Sequence, residues 1–209
     1  MHAIRTRILF PSRRSVPLAS LVPSNLGLTR CYAHRSTPPR PPPEQRTYFY
    51  YLDIHGRLFL HDVWPRNITS CFKDRRFLNF FFQRLRPNTT GQHEGQYPYI
   101  SLCGKEVNYL EPADTPVVYT DLVNEGKQLV WGGALLMPFN PANLHVHPVS
   151  GYVYHPSPDP ALGKLALVSS STILRYISPT LDIDKVEYQW KGTTYPVKLI
   201  ELPSDQDGP

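Results

Sequence analysis

Cys103 stands in Leu102-Cys103-Gly104-Lys105-Glu106, where a neighbouring lysine and a turn amide would lower the thiol pKa and make it a nucleophile. A lone cysteine at a strand end also serves as a small core filler, and no histidine lies beside it in the chain. His145-Val146-His147 places two imidazoles on one face of a strand, with His155 in the following loop, a spacing that could seat two ligands of a zinc or iron site. Histidines so placed are commonly plain polar surface, and no CxxC or HExxH accompanies them, so His145 and His147 are weak candidates and no metal is expected. Asp53, Asp62, Asp114 and Asp121 fall at strand or turn positions, where a pair of carboxylates could do acid and base work. Asp53 is the exception: beside Gly56 it is expected to bond its own turn amides. A pocket gathering Cys103, Glu106, Asp114 and His155, with Gly104 allowing close backbone approach, would make a small-molecule enzyme.

A second chemistry is nucleic-acid binding. Lys73, Arg75, Arg76, Arg84 and Arg86 stand against Asp74, and the tyrosines Tyr48, Tyr50 and Tyr51 lie nearby, so the basic face could grip an RNA backbone while Tyr50 stacks on a base. A solvated helix face has the same composition. Phosphate loops of the GxGxxG and GxxxxGK[ST] types and the GxSxG elbow are absent from the sequence, so no cofactor is expected.

These residues depend for position on the stretch from Thr47 to Arg86. Tyr48–Asp53 and Arg57–His61 read as two strands around Gly56. Asp74 then caps a helix over about 75–86, which Pro87 closes. At 100° per residue its Phe77, Leu78, Phe81, Phe82 and Leu85 share one arc, while Arg75, Arg76, Asn79, Gln83 and Arg86 share the other. Phe80 fits neither arc and is expected to rest on the helix flank against Arg84, or else to meet a second element or a partner.

Further hairpins are expected at Tyr97–Cys103 with Val107–Glu111 around Gly104, at Val117–Val123 with Gln128–Trp131, and at Val186–Trp190 with Val197–Leu202. Strands over Ala134–Phe139, His145–Val149 and Tyr152–Tyr154 continue the sheet, and a short second helix is expected over about 169–177. The class is α+β, a mainly antiparallel sheet of successive hairpins packed by one Phe-rich helix, because the turns between consecutive strands are too short for parallel crossovers.

The formal charge of +5 over 209 residues is unevenly placed. Residues 1–46 carry eight arginines against one acid, whereas the rest of the chain carries 14 basic and 16 acidic residues, so the body is mildly acidic. Residues 1–32 are Arg-rich, contain serine and lack acids, with Ile4 and Ile8 on one side of a short amphipathic helix that Pro11 would stop; this is the composition of a mitochondrial transit peptide. Arg30 stands two residues before an expected cut after Tyr32. Residues 33–46 form a Pro-rich linker, 47–203 a single α+β domain and 204–209 a disordered tail. The longest apolar run, Leu129 to Phe139, contains two glycines and a proline, so no membrane span is expected.

Read in order, YFYYLDIHGRLFLHD, CFKD, FLNFFFQRLRPN, YPYISLCGKEVNYL, DTPVVYT, MPFNP and GYVYHP resemble an uncharacterised eukaryotic family, number 0598, of predicted mitochondrial proteins with alphaproteobacterial relatives. The resemblance spans about Thr47 to Leu174. It implies one domain of unknown function, a pattern including Asp53, Gly56, Asp62, Cys71, Asp74, Arg86, Cys103, Gly104, Glu106, Asp114, Pro116 and His155, and no established activity. His145 and His147 are not part of that pattern. A fainter likeness is to a bacterial family of small α+β proteins. The leading expectation is a soluble matrix protein that binds a protein partner as an assembly or maintenance factor; the enzyme and the RNA-binding factor are the alternatives.

Overall fold

The computed structural model describes residues 46–182 and 185–200. The transit peptide expected at 1–32, nearly all of the linker at 33–46 and the tail at 204–209 lie outside the described residues. The described chain is α+β, with strands in three sheets, mixed but mostly antiparallel, and two α-helices.

The first sheet comes from the aromatic stretch. β1 (Arg46–Leu52) turns back through Gly56 into β2 (Leu58–Leu60). α1 (Arg75–Phe82) follows, then β3 (Leu85–Pro87), β4 (Tyr99–Cys103) and β5 (Glu106–Pro112), in the order β2-β1-β5-β4-β3. β1 lies parallel to β5, a pairing between strands far apart in the chain that turn lengths do not reveal. β1 is thus flanked by a strand on each side, and from Phe49 onward it is also covered on both faces. Tyr50 packs inward on Phe81, ring centroids 5.1 Å apart, while Phe49 lies on the opposite face against Tyr97 and Tyr109.

α1 starts where Asp74 Oδ1 accepts the Phe77 N–H at 2.7 Å. It ends sooner than the expected 86: Gln83 caps it, and Arg86 belongs instead to β3, opposite Ile100. An apolar period that ran on through Leu85 could not separate the last helical turn from the strand after it. The second half of the helix is bonded to its surroundings, as Ser101 Oγ donates to the Phe81 carbonyl and the Ala134 N–H donates to Asn79 Oδ1, each at 2.7 Å. Gly133 makes the second contact possible, since a Cβ there would sit 2.5 Å from the Arg75 carbonyl oxygen.

The second sheet contains β6 (Val118–Val123), β7 (Gln128–Trp131), β8 (Leu135–Pro138), β9 (His145–Val146), β10 (Val153–Pro156) and β11 (Leu165–Val168). After α2 (Ser170–Tyr176), β12 (Leu181–Asp182), β13 (Glu187–Trp190) and β14 (Thr193–Pro196) form a small third sheet. The partner of β13 is thus Thr193–Pro196 rather than the expected Val197–Leu202. Residues beyond Pro196 cross to the second sheet as β15 (Lys198–Leu199), giving the order β15-β9-β10-β11-β6-β7-β8 with β15 parallel to β9. Tyr50, Leu58 and Leu110 of the first sheet, Phe81 and Phe82 of α1, and Trp131, Tyr154 and Leu167 of the second share one apolar core.

Candidate functional site

The four residues expected to share a pocket do not meet. Cys103 faces Glu106 across the β4–β5 turn, with Ser101 Oγ 3.6 Å from the thiol sulfur and Arg46 3.8 Å from the Glu106 carboxylate. Asp114 follows the other end of β5, about 20 Å away at the rise of an extended chain. There Tyr154 donates to Asp114 Oδ1 at 3.2 Å. The residue is exposed as a whole, yet its carboxyl is partly enclosed, and that burial raises its pKa against the lowering pull of Tyr154 and His147. His155 is the next residue on β10 and points the opposite way, into the interior. Its Nε2 accepts the Asn140 N–H at 3.2 Å between the rings of Phe139 and Tyr119. Burial lowers its pKa to about 4. A histidine sealed in this way has no route to a substrate.

The RNA-binding set is also divided. Tyr50 is buried among Phe72, Phe77 and Phe81 and has no face free for a base. Arg75 and Arg76 are exposed in the first turn of α1, while Arg86 lies on β3. Phe80 rests against Arg84, whose guanidinium lies 3.6 Å from the ring centroid. His147 Nδ1 accepts the Ser150 N–H and His145 Nδ1 faces the Asn143 carbonyl. Among the described residues no three His, Cys, Asp or Glu side chains are grouped to hold a metal. Asp53 accepts the N–H groups of His55 and Arg57, both at 2.9 Å, and pairs with Arg57 Nε at 2.6 Å.

A polar clasp forms instead from residues that no spacing could have joined. His61 Nε2 donates to Glu111 Oε2 at 2.7 Å, and Gln96 Nε2 donates to the same oxygen at 3.2 Å. The three lie in β5 and in two separate connections, beside the place where His93 and Tyr97 of the segment 88–98 pack on Phe49 and Tyr109. Open clefts of about 280 and 540 Å³ flank the clasp, the larger lined by Gln96, Tyr99, Glu111 and Asp114. Replacing Glu111 by glutamine is expected to weaken a charge-assisted hydrogen bond and speed amide exchange at Asn88 and Tyr97 about tenfold. Unchanged protection at both amides would show that the clasp holds nothing.

An apolar opening lies elsewhere. Val146, Pro148, Leu181, Val186, Val197 and Leu199 line a groove of about 180 Å³ between the β9–β15 edge and the third sheet. At and beside its rim Leu199 is 55% and Val149 79% exposed. Val186 is held at φ +53°, a left-handed conformation costly for a β-branched side chain and one that persists where the surroundings dictate it. Lys198 and Ile200 give their N–H groups to Leu144 and Val146, so by strand alternation the backbone polar groups of Leu199 point away from the sheet. Among the described residues no strand lies beyond β15.

A profile of the family described as a domain of unknown function, DUF4505, matches residues 38–200. The chain belongs to the DUF4505 family. The DUF4505 match therefore takes in the clasp and the groove alike, and the family description assigns neither a role. Among solved structures the chain is similar to a DUF1285 family protein from Silicibacter pomeroyi, at 12% identity over 74% of this chain and 84% of that one, with a TM-score of 0.42. A DUF1285 family protein from Shewanella baltica is similar at 11% identity over 59% of this chain and 86% of that one, with a TM-score of 0.36.

Proposed function

We propose that this DUF4505 protein is a binding or accessory module of the mitochondrial matrix, serving assembly or maintenance of a larger complex, and that a partner protein docks in the groove beside β15. The groove carries this reading. Six apolar side chains line it, two large ones stand exposed at or beside its rim, and a strand edge that is unpaired among the described residues runs alongside. Those features together suit an extended segment that adds a strand to β15 through its main chain and sinks alternate apolar side chains into the opening. The matrix location rests on the Arg-rich, acid-poor leader and on the resemblance to family 0598, whose members are predicted mitochondrial proteins. The enzyme reading is weaker, since Cys103, Asp114 and His155 occupy separate places.

The test is affinity purification from mitochondrial matrix under mild conditions, wild type beside a Val149→Asp, Leu199→Lys double variant. A partner should accompany the wild type and be retained at least tenfold less by the variant, because charges would be driven into an apolar contact. Both sites are exposed, so the thermal midpoint should hardly move. A wild-type chain that runs alone at monomer size, or a partner indifferent to the two substitutions, would refute the reading.

A further inference from the structure

The loop between β2 and α1 holds the most exposed large apolar side chain described, Trp64 at 82%, with Ile68 at 66% four residues on. Both are presented by a braced loop. Asn67 Oδ1 accepts from the N–H groups of Thr69 and Ser70 at 2.8 and 3.2 Å, Ser70 Oγ donates to the Pro65 carbonyl at 3.0 Å, and Arg66 Nη2 donates to the His61 carbonyl at 2.8 Å. The Arg66 guanidinium lies 3.9 Å from the Tyr51 ring centroid. Neighbouring side chains thus hold the loop in shape while the two apolar ones stand in water.

Exposed cations follow this knuckle in the chain. Lys73, Arg75 and Arg76 are exposed and form no ion pair among the described residues. Lys73 lies three residues past Ser70, within about 10 Å of the point where that serine grips the loop. These three stand against Asp62 and Asp74, and Asp74 is engaged in capping α1, while Arg66 is taken up by Tyr51 and the His61 carbonyl.

We propose that this loop seats the protein on an anionic phospholipid bilayer, with Trp64 and Ile68 entering the boundary between headgroups and acyl chains and Lys73, Arg75 and Arg76 facing lipid phosphates. Area favours lipid over a protein partner. A tryptophan buries about 150–250 Å² and an isoleucine less, well short of the roughly 800 Å² a side that a stable protein interface needs. A bilayer demands no matching surface, and the amphipathic indole ring settles at headgroup level. Each cation near an anionic surface strengthens binding about fivefold. No helix of the described residues is long and apolar enough to cross a bilayer, so the contact is a peripheral one.

The test uses the full chain with vesicles of phosphatidylcholine, alone or mixed with phosphatidylglycerol, so that the arginines of residues 1–46 are present in every arm. Wild type should co-sediment with the mixed vesicles and scarcely with phosphatidylcholine alone. Trp64→Ala should bind about tenfold more weakly, and Lys73→Glu with Arg75→Glu more weakly still. Ile68→Ser should weaken binding in the same direction and serves as a second variant. Lipids brominated on their acyl chains should quench part of the wild-type tryptophan emission, and that part should be missing from Trp64→Phe. Wild-type binding matched by Trp64→Ala would overturn the proposal, since the leader would then account for it. So would quenching unaltered in Trp64→Phe, or failure to bind mixed vesicles while a photo-cross-linker at position 64 captures a protein.

Discussion

Replacing Phe81 by alanine will remove about 3–5 kcal/mol of folding stability, a large share of the roughly 5–15 kcal/mol that holds a domain together. The ring is fully buried and touches Tyr50, Phe77 and Phe82 at centroid distances of 5.1, 5.9 and 5.3 Å, so its removal opens a cavity where α1 meets the first sheet. The Phe81 carbonyl accepts the Ser101 hydroxyl, which ties the backbone in place and limits how far the helix can settle into the gap. Phe80→Ala is the matched control. Its ring is 40% exposed and covered by a single arginine, so the loss there should stay within about 1 kcal/mol. Urea unfolding of the two variants, read at constant m-value, separates these outcomes. Equal midpoints would mean that α1 does not plug the core through the arc containing Phe81.

That arc was legible as far as Phe82 because a helix must bury one side, and Phe77, Phe81 and Phe82 share a direction only at a helical period, whereas Leu85, expected on the same arc, belongs to β3. The β1–β2, β4–β5 and β6–β7 hairpins were legible for a related reason: each closes through a short turn containing glycine, and the pairing that follows is local. Pairings between distant strands left no such trace. β1 beside β5 turned Tyr50 from a candidate base-stacking residue into core, because from Phe49 onward the strand is flanked on both sides and covered on both faces. The expected pocket failed at a smaller scale. Tyr154 and His155 are adjacent on β10, and strand alternation sends one hydroxyl to Asp114 and the neighbouring imidazole into the interior, so a one-residue offset decided which of them Asp114 would meet. His61, Gln96 and Glu111 carried no signal at all; they are 35 and 15 residues apart along the chain and meet only through the sheet and the covering segment. The groove was hidden for the opposite reason, since Val146, Val186 and Val197 read as ordinary strand residues, and only the crossing of β15 to the second sheet left their side chains around an opening.

His155 makes the stability of the fold sensitive to acid. In the folded chain its pKa is lowered from 6.5 to about 4, first by burial and further by nearby His145, with the Pro156 carbonyl pulling the other way. Protonation would also put an N–H on Nε2, the atom that now accepts from Asn140. An unfolded chain takes up the proton near the ordinary histidine value, so it gains on the native state as pH falls below about 6.5. The stabilisation is therefore complete above that pH and declines progressively until the native imidazole itself protonates near pH 4, a loss of about 3 kcal/mol in all. Asp114, whose pKa is raised by burial, acts with the opposite sign and offsets part of this as it takes up its proton. His155→Gln keeps an acceptor near the Asn140 amide and cannot titrate in this range, so subtracting its urea stability profile from that of the wild type isolates the histidine. The difference should be level above about pH 7 and fall steadily toward about pH 4.5. Parallel profiles would mean that water reaches the ring, and the interior between Phe139 and Tyr119 would then be open where the fold requires it to be closed.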